Sequence, residues 1–153
     1  MATRSEWIAA CQLWRDRLWL NQMELNHRDM ERKERITEND SDADASTLAF
    51  VTTEPRYRRI NIVHDPEVLE KLTSEKMKLS AAHEMTHAVL APISAFVEGI
   101  MKRMSETERN ALNAPWAEAN EAVTSHIADV LTMGPDWEAH DHRLNSCKHT
   151  EGC

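Results

Sequence analysis

The chain has 153 residues, a mass of 17.6 kDa and ordinary fractions of hydrophobic (41%) and charged (29%) residues, which fit one globular domain and exclude collagen-like and wholly disordered classes. Its net charge of -8 argues against nucleic acid as a partner, and its three glycines are too few for a glycine-rich phosphate loop. It has no apolar run of about 18 residues, no apolar leader segment and no CxxC motif, so we expect a cytoplasmic protein that does not contact membranes.

The N-terminal segment predicts a helix and then a strand. Apolar residues recur at three- and four-residue steps between Ser5 and Leu18, and Ser5 is a suitable N-cap. Apolar and polar residues alternate over residues 23–28, which favours a half-exposed strand, although a continuing helix fits the segment nearly as well. The tryptophans of this region are expected to pack in the core or line a groove, and they are Trp7, Trp14 and Trp19.

The next segment predicts a polar loop and two strands. The three aspartates at two-residue steps within residues 31–46 mimic the start of a calcium loop, but the motif's glycine and final glutamate positions hold alanine and valine. We therefore expect a solvated loop there. The β-rich segments 48–53 and 57–63 are separated by Glu54-Pro55 and predict a hairpin or two adjacent strands. Asp65-Pro66 ends the second strand and begins a helical stretch.

The second half of the chain predicts helices. Apolar periodicity indicates a helix over residues 74–90, which Pro92 is expected to end or kink. The run Ser105-Glu106-Thr107-Glu108 is typical of a helix start. Pro115 is expected to mark a break and to occupy the first position of a last helix over residues 116–133.

The C-terminal segment predicts no regular structure. Gly134-Pro135 ends the last helix, and the polar residues that follow lack periodicity. We therefore expect one domain over residues 5–133 and a flexible polar tail over residues 134–153. The tail carries side chains that could bind a second metal, but no predicted element orients them; they are His140, His142, Cys147, His149 and Cys153.

Residues 83–87 read His-Glu-Met-Thr-His, which is the HExxH motif. Histidines four residues apart project from one helix face, so His83 and His87 can both bind a zinc ion. Glu84 lies about 100° around the helix, which places it beside the metal rather than on it. The flanking residues are largely apolar, so the helix should be buried, and polar groups there require a partner such as a metal.

A catalytic zinc ion needs a third protein ligand and keeps one position for water. The pattern that supplies a third histidine from the same segment is excluded, because leucine and isoleucine occupy its glycine and histidine positions. The alternative class of HExxH sites takes a glutamate from a later helix, and Glu121 lies 34 residues after His87. Glu118 shares the helix face of Glu121, whereas His126 lies about 140° around the helix and is expected to miss the metal.

HExxH followed by Asn120-Glu121-Ala122-Val123 on a downstream helix resembles the gluzincins, the thermolysin-like clan of zinc peptidases. The resemblance implies a zinc cofactor, three metal ligands and a general base, which are His83, His87 and Glu121 for the metal and Glu84 for the base. The clan usually has an aspartate four residues after the ligand glutamate, where it supports a zinc-bound histidine. This chain has Ser125 there, and Asp129, one turn further, is the candidate to replace that aspartate.

A wider resemblance covers roughly residues 5–133. The order of a tryptophan-rich helix, a strand, an acidic loop, two strands and the HExxH helix is similar to that of small zinc metallopeptidases of phages and prophages. This resemblance implies an α+β fold of the minimal zincin type, in which a small twisted mixed sheet packs against helices that include the HExxH helix. It also implies the cytoplasm of a bacterial host.

We therefore expect a zinc-dependent peptidase that hydrolyses a peptide bond of a protein or peptide. Glu84 takes a proton from zinc-activated water and passes it to the leaving amine. The substrate is expected to pair with the strand over residues 57–63 at the sheet edge, and Tyr57 is a candidate oxyanion stabiliser, although strand packing is favoured. The alternative is a zinc-stabilised binding or regulatory module without turnover; Glu84 argues against it, because a structural zinc site does not need a carboxylate beside its ligands.

Overall fold

The computed structural model describes residues 2–31, 48–54 and 58–133, and these residues form a mixed α+β fold. The elements in chain order are α1 (Arg4–Arg17), β1 (Glu24–Asp29), β2 (Ala49–Glu54), β3 (Arg59–His64), α2 (Pro66–Leu69), α3 (Ser74–Met101) and α4 (Glu106–Met133). The predicted α+β class, with a small mixed sheet and helices, is confirmed at this level. The predicted acidic loop, Tyr57 and the predicted C-terminal tail lie outside the described residues.

The sheet has the order β1-β3-β2, with β3 parallel to β1 and antiparallel to β2. The adjacent strands predicted on either side of Glu54-Pro55 are confirmed as an antiparallel pair, and residues 24–29 form a strand rather than a continuing helix. The prediction that the strand over residues 57–63 lies at the sheet edge is wrong. Arg59 pairs with Glu24 on one side and with Glu54 on the other, so β3 is central and β2 is an edge strand.

One face of the sheet is buried beneath the helices. Ile60, Ile62 and His64 alternate along β3 and are fully buried, in one core with Trp7 of α1 and Met85 of α3. The opposite face carries polar pairs, such as the Asn61 amide that donates to the Glu54 carboxylate at 3.0 Å. This alternation is what a sheet with one covered and one solvated face requires.

Reciprocal side-chain hydrogen bonds fix the beginnings of two helices. The Thr3 hydroxyl accepts from the Glu6 backbone at 3.3 Å, and the Glu6 carboxylate accepts from the Thr3 backbone at 2.8 Å. The predicted N-cap at Ser5 is therefore wrong by two residues, because Thr3 completes the box with Glu6. Ser105 and Glu108 make the same exchange at the start of α4, where the sequence predicts a helix start.

Contrary to the prediction from the sequence, Trp19 does not pack in the core. Trp7 and Trp14 are buried, but the Trp19 side chain is 81% exposed. Helix α1 ends at Arg17, and Trp19 then adopts a positive φ of 58°, which takes its side chain out of helical phase. Leu20 packs partly buried against the core instead.

Pro92 and Pro115 both lie inside helices. Helix α3 passes through Pro92 and continues to Met101, and α4 begins at Glu106 and passes through Pro115. The helix therefore does not end at Pro92, and Pro115 is neither a break nor the first position of the last helix. The two helices pack against each other, and tertiary packing of this kind outweighs the local cost of a proline. No helix among the described residues has the length and apolar character needed to span a membrane.

Of two neighbouring histidines of the sheet, His64 is fully buried and His27 is partly buried, and the described residues make no hydrogen bond to the ring nitrogens of either. His27 of β1 and His64 of β3 approach edge to face with centroids 6.4 Å apart, and Trp7 lies 6.3 Å from His64. His64 Nε2 lies 3.1 Å from Asp29 Oδ1, but the geometry is not that of a hydrogen bond. Burial, with smaller effects of His64 and Arg4, lowers the pKa of His27 to about 4. Burial also lowers the pKa of His64, against the raising effect of Asp29 and Asp65.

Replacing His27 by glutamine should make the protein less sensitive to acid. The folded-state pKa is about 4 and the ordinary value is 6.5, so the unfolded chain binds more protons between these pH values. The free energy of unfolding due to His27 is therefore fully present above pH 6.5 and falls as the pH drops toward 4. Between pH 7.5 and pH 4.5 the His27→Gln variant should therefore lose about 1–2 kcal/mol less free energy of unfolding than wild type, because solvent screening of a partly buried group reduces the 1.36 kcal/mol per pKa unit.

Urea unfolding of wild type and His27→Gln at pH 7.5 and pH 4.5 measures this difference. The comparison between the two proteins is needed because the raised pKa of Glu84 acts in the opposite direction and is common to both. Parallel pH dependence in the two proteins would contradict the burial of a neutral His27.

Candidate metal centre

Helix α3 presents the HExxH residues at the junction of three elements. It packs against α1, α4 and β2. Its N-terminus is capped by Thr73, whose hydroxyl accepts from the Lys76 backbone at 3.3 Å. Apolar positions one turn apart anchor the motif in the core, and the buried ones are Met77, Ala81, Ala82, Met85 and Ala88. With these residues inside, His83 and His87 lie partly buried on the side of α3 that meets α4.

The structure brings together the three residues that the sequence nominates as metal ligands. The Nε2 atoms of His83 and His87 are 3.1 Å apart. Glu121 of α4 spans both rings, with Oε2 at 3.3 Å from His83 Nε2 and Oε1 at 3.2 Å from His87 Nε2. Ligand atoms around a tetrahedral ion with bonds of about 2.0–2.1 Å are separated by about 3.3 Å. The group His83, His87 and Glu121 could therefore hold a metal ion.

Two other residues considered from the sequence are not members of this group. Glu118 and His126 are exposed on α4. Neither belongs to the group that His83, His87 and Glu121 form among the described residues. Since the metal-binding face of α4 is set by Glu121, a histidine five residues later points elsewhere, as the helical angle predicts. Tyr57, the candidate oxyanion stabiliser, lies outside the described residues, as do the histidines and cysteines of the C-terminal segment.

The Nδ1 atoms of both imidazoles, which face away from the three-residue group, lie close to hydroxyls of α4. Thr124 Oγ1 lies 3.4 Å from His87 Nδ1, and Ser125 Oγ lies 3.5 Å from His83 Nδ1. Ser125 therefore occupies the position beside His83 where the resembled clan has a carboxylate. Asp129 lines a neighbouring cavity of about 240 Å³ together with His83 and Ser125.

Glu84 is the buried carboxylate of the motif. Glu84 is only 7% exposed, although it adjoins the two partly exposed histidines. Burial, and to a smaller extent the Glu121 carboxylate, raises the pKa of Glu84 to about 8. Cys11 is fully buried, and its own burial raises the pKa of its thiol, with a smaller contribution from Glu84. Glu84 thus lies between the core and the three candidate ligands, where it can bind or release a proton near neutral pH.

The surroundings of His87 favour its neutral imidazole. Burial lowers its pKa and the neighbouring His83 lowers it further, whereas Glu121 acts in the opposite direction. A neutral imidazole has one nitrogen lone pair available, which is the form that binds metal ions. The electrostatics of the site therefore match the three-residue group just described.

A cavity of about 640 Å³ opens over these residues. Strand β2 forms one wall along residues 49–53, and α3 forms another beyond His87 through small side chains such as Ala91 and Ala95. Glu84, Glu121 and Glu98 line the same space. An edge strand, a buried carboxylate and three convergent ligand atoms thus share one opening.

Searches of protein-family models, of curated proteins and of solved structures each returned no significant match to this chain. The function is therefore inferred from the fold and the geometry of this site. It defines a mixed α+β protein with a group of three side chains that could hold a metal ion.

Sequence reasoning missed two features of this site. Thr124 lies three residues after Glu121, one turn along the same face of α4, and this spacing is the signal that could have identified it. The edge position of β2 was missed because strand order depends on pairing between distant segments rather than on local pattern.

Proposed function

We propose that this protein is a zinc-dependent peptidase of the gluzincin-like, minimal zincin type. The observation that carries the proposal is the convergence of His83, His87 and Glu121 with the buried carboxylate of Glu84 under one cavity. The resemblance of the HExxH motif and of Asn120-Glu121 to the gluzincins supports the same assignment.

The donor set supports zinc as the metal. Two imidazole nitrogens and one carboxylate leave one coordination position open, which is the composition of catalytic rather than structural zinc sites. A zinc ion held by His83, His87 and Glu121 supplies Lewis-acid chemistry, because it acidifies water and polarises a carbonyl.

Glu84 is the proton carrier of the proposed reaction. It takes up a proton as water attacks the peptide carbonyl and returns it to the leaving amine. Its burial supports this role, since a desolvated carboxylate takes up a proton more readily than an exposed one. Glu84 differs in this respect from Glu121, whose side chain is 58% exposed and which faces both imidazoles.

The proposed substrate is a protein or peptide in extended conformation. Strand β2 is an edge of the sheet and borders the cavity that contains Glu84. An edge strand offers unpaired backbone groups to which an extended chain can add as a further strand. The substrate-pairing strand is thus β2, not the central strand β3 that the sequence analysis nominated.

A zinc-stabilised binding or regulatory module without turnover is the second candidate. The observation that favours it is Ser125, a neutral residue where the resembled clan supports a zinc-bound histidine with a carboxylate. Both candidates require the metal, so they differ only in what Glu84 does.

Zinc should co-purify at about one equivalent per chain, because three ligands form one site. Elemental analysis of protein purified without chelators and without metal affinity media measures this. His83→Ala should abolish the zinc content, while His126→Ala, which removes an exposed histidine outside the group, should leave it unchanged. Wild-type protein without any transition metal would overturn the proposed function.

A further inference from the structure

We propose that two consecutive hydroxyl side chains of α4, Thr124 and Ser125, orient the metal-binding imidazoles of His87 and His83. This inference rests on the proposed metal centre and identifies the residues that position its ligands. Thr124 and Ser125 are positioning residues, since they act on the ion only through the histidines.

The hydrogen bonds of Thr124 determine which nitrogen of His87 carries the proton. Thr124 is completely buried, and its hydroxyl donates to the Asn120 carbonyl oxygen at 2.8 Å. Because the single hydroxyl proton is used there, Thr124 Oγ1 can only accept from His87 Nδ1, which lies 3.4 Å away. Nδ1 of His87 therefore bears the proton, and Nε2 keeps the lone pair that a metal ion requires.

Ser125 lies beside the outer nitrogen of the other imidazole. Its hydroxyl oxygen lies 3.5 Å from His83 Nδ1 and can accept from it. When Nδ1 carries the proton, His83 Nε2 presents its lone pair toward the group that it forms with His87 and Glu121. Both outer nitrogens are thus supported by neutral oxygens rather than by a carboxylate.

The two hydroxyls and one ligand belong to the same part of α4. Thr124 and Ser125 follow Glu121 by three and four residues, so the three side chains share one helix face. The histidines are four residues apart on α3, and each meets a different hydroxyl. Helix α4 therefore places a ligand and the supports of the other two ligands in a single packing arrangement.

Isosteric replacement tests Thr124. The dissociation constant for Zn²⁺, measured by competition with a chromophoric chelator, should rise about 10- to 100-fold in Thr124→Val, which is the usual effect of removing a partner of a ligand histidine. Thr124→Ser keeps the hydroxyl and should restore affinity to within about threefold of wild type. Thr132→Val is the matched control, because the Thr132 hydroxyl also donates to a carbonyl four residues earlier, that of Ala128 at 2.9 Å.

Thr132→Val should bind Zn²⁺ as wild type does, since this substitution removes the same kind of helix hydrogen bond at a site away from the ligands. Equal affinities for wild type and Thr124→Val would overturn the inference and leave the proposed metal centre intact. Ser125→Asp places a carboxylate beside His83 and should tighten Zn²⁺ binding, whereas Ser125→Ala should weaken it. No change in either Ser125 variant would remove Ser125 from the inference.

Nitrogen-15 NMR of the histidine rings in metal-free protein tests the inference without relying on zinc. In metal-free protein the Glu121 carboxylate, 3.2 Å from His87 Nε2, competes for the proton, so the fraction of His87 protonated at Nδ1 should be larger in wild type and Thr124→Ser than in Thr124→Val. Equal Nδ1-protonated fractions in wild type and Thr124→Val would overturn the role of Thr124. A protein that shows the expected tautomers but binds no Zn²⁺ would support the hydrogen-bond arrangement and overturn the proposed function instead.

Discussion

Replacing Glu84 by glutamine should remove the proposed peptidase activity while leaving zinc bound. Glutamine keeps the shape of the side chain but cannot take up the proton, and general acid–base catalysis contributes about 10²- to 10⁴-fold to such rates. Zinc content should stay near one per chain, because the three candidate ligands are other residues. Activity is measured as release of new amino termini from a denatured, fluorophore-labelled protein, and zinc by elemental analysis.

The matched control for this variant is Glu98→Gln. Glu98 is an exposed carboxylate that lines the same cavity, so its replacement makes the same chemical change in the opening without altering the HExxH motif. We expect activity within a fewfold of wild type. Equal activity in Glu84→Gln and wild type would exclude Glu84 as the base, and zinc-loaded wild type that cleaves nothing while binding a partner would favour the module without turnover.

Replacing Glu121 by glutamine should weaken zinc binding far more than it alters the fold. The change removes the only carboxylate of the three-residue group and its negative charge, while the side chain is 58% exposed and contributes little to the core. We expect the dissociation constant for Zn²⁺ to rise by more than the 10- to 100-fold typical of supporting residues. Chelator competition gives the affinity, and circular dichroism checks that the helical content is preserved.

Glu118→Gln is the control for Glu121. It lies one turn earlier on α4, is exposed, and is not a member of the three-residue group. Its zinc affinity should equal that of wild type. If Glu84→Gln lost the metal and Glu121→Gln kept it, the roles assigned to these two glutamates would be wrong, and Glu118 would become the next ligand to examine.

Much of the candidate centre could be predicted because it depends on helical spacing. Two histidines four residues apart must share a helix face, so the HExxH pattern was enough to pair His83 with His87. Glu121 required a further step, since only the downstream resemblance nominated it, yet the structure brings its carboxylate to 3.2 Å and 3.3 Å from the two rings. The hydroxyl of Thr124 was not predicted, because its role depends on how α4 is rotated against α3.

The fold was predictable where local chemistry decides it and not where tertiary contacts do. The helix start at Ser105 follows from a capping box, and the adjacent strands around Glu54-Pro55 follow from β-rich segments near a proline. The helix end predicted at Pro92 and the break predicted at Pro115 are wrong, because each proline lies inside a helix that packs against the other. The central position of β3 depends on its parallel ladder with β1, which no local pattern encodes.

The placement of the centre on two consecutive helices has a consequence for the order of folding. Helices α3 and α4 are joined by residues 102–105 alone, so once both helices exist they can close along a short connection. The ladder between β1 and β3 instead joins Glu24 to Arg59 across a long crossover, and parallel pairing of this kind is slow to form. The proposed ligands therefore belong to the part of the chain that can assemble first, and an ion captured there would tie the helical hairpin together before the N-terminal strand joins the sheet.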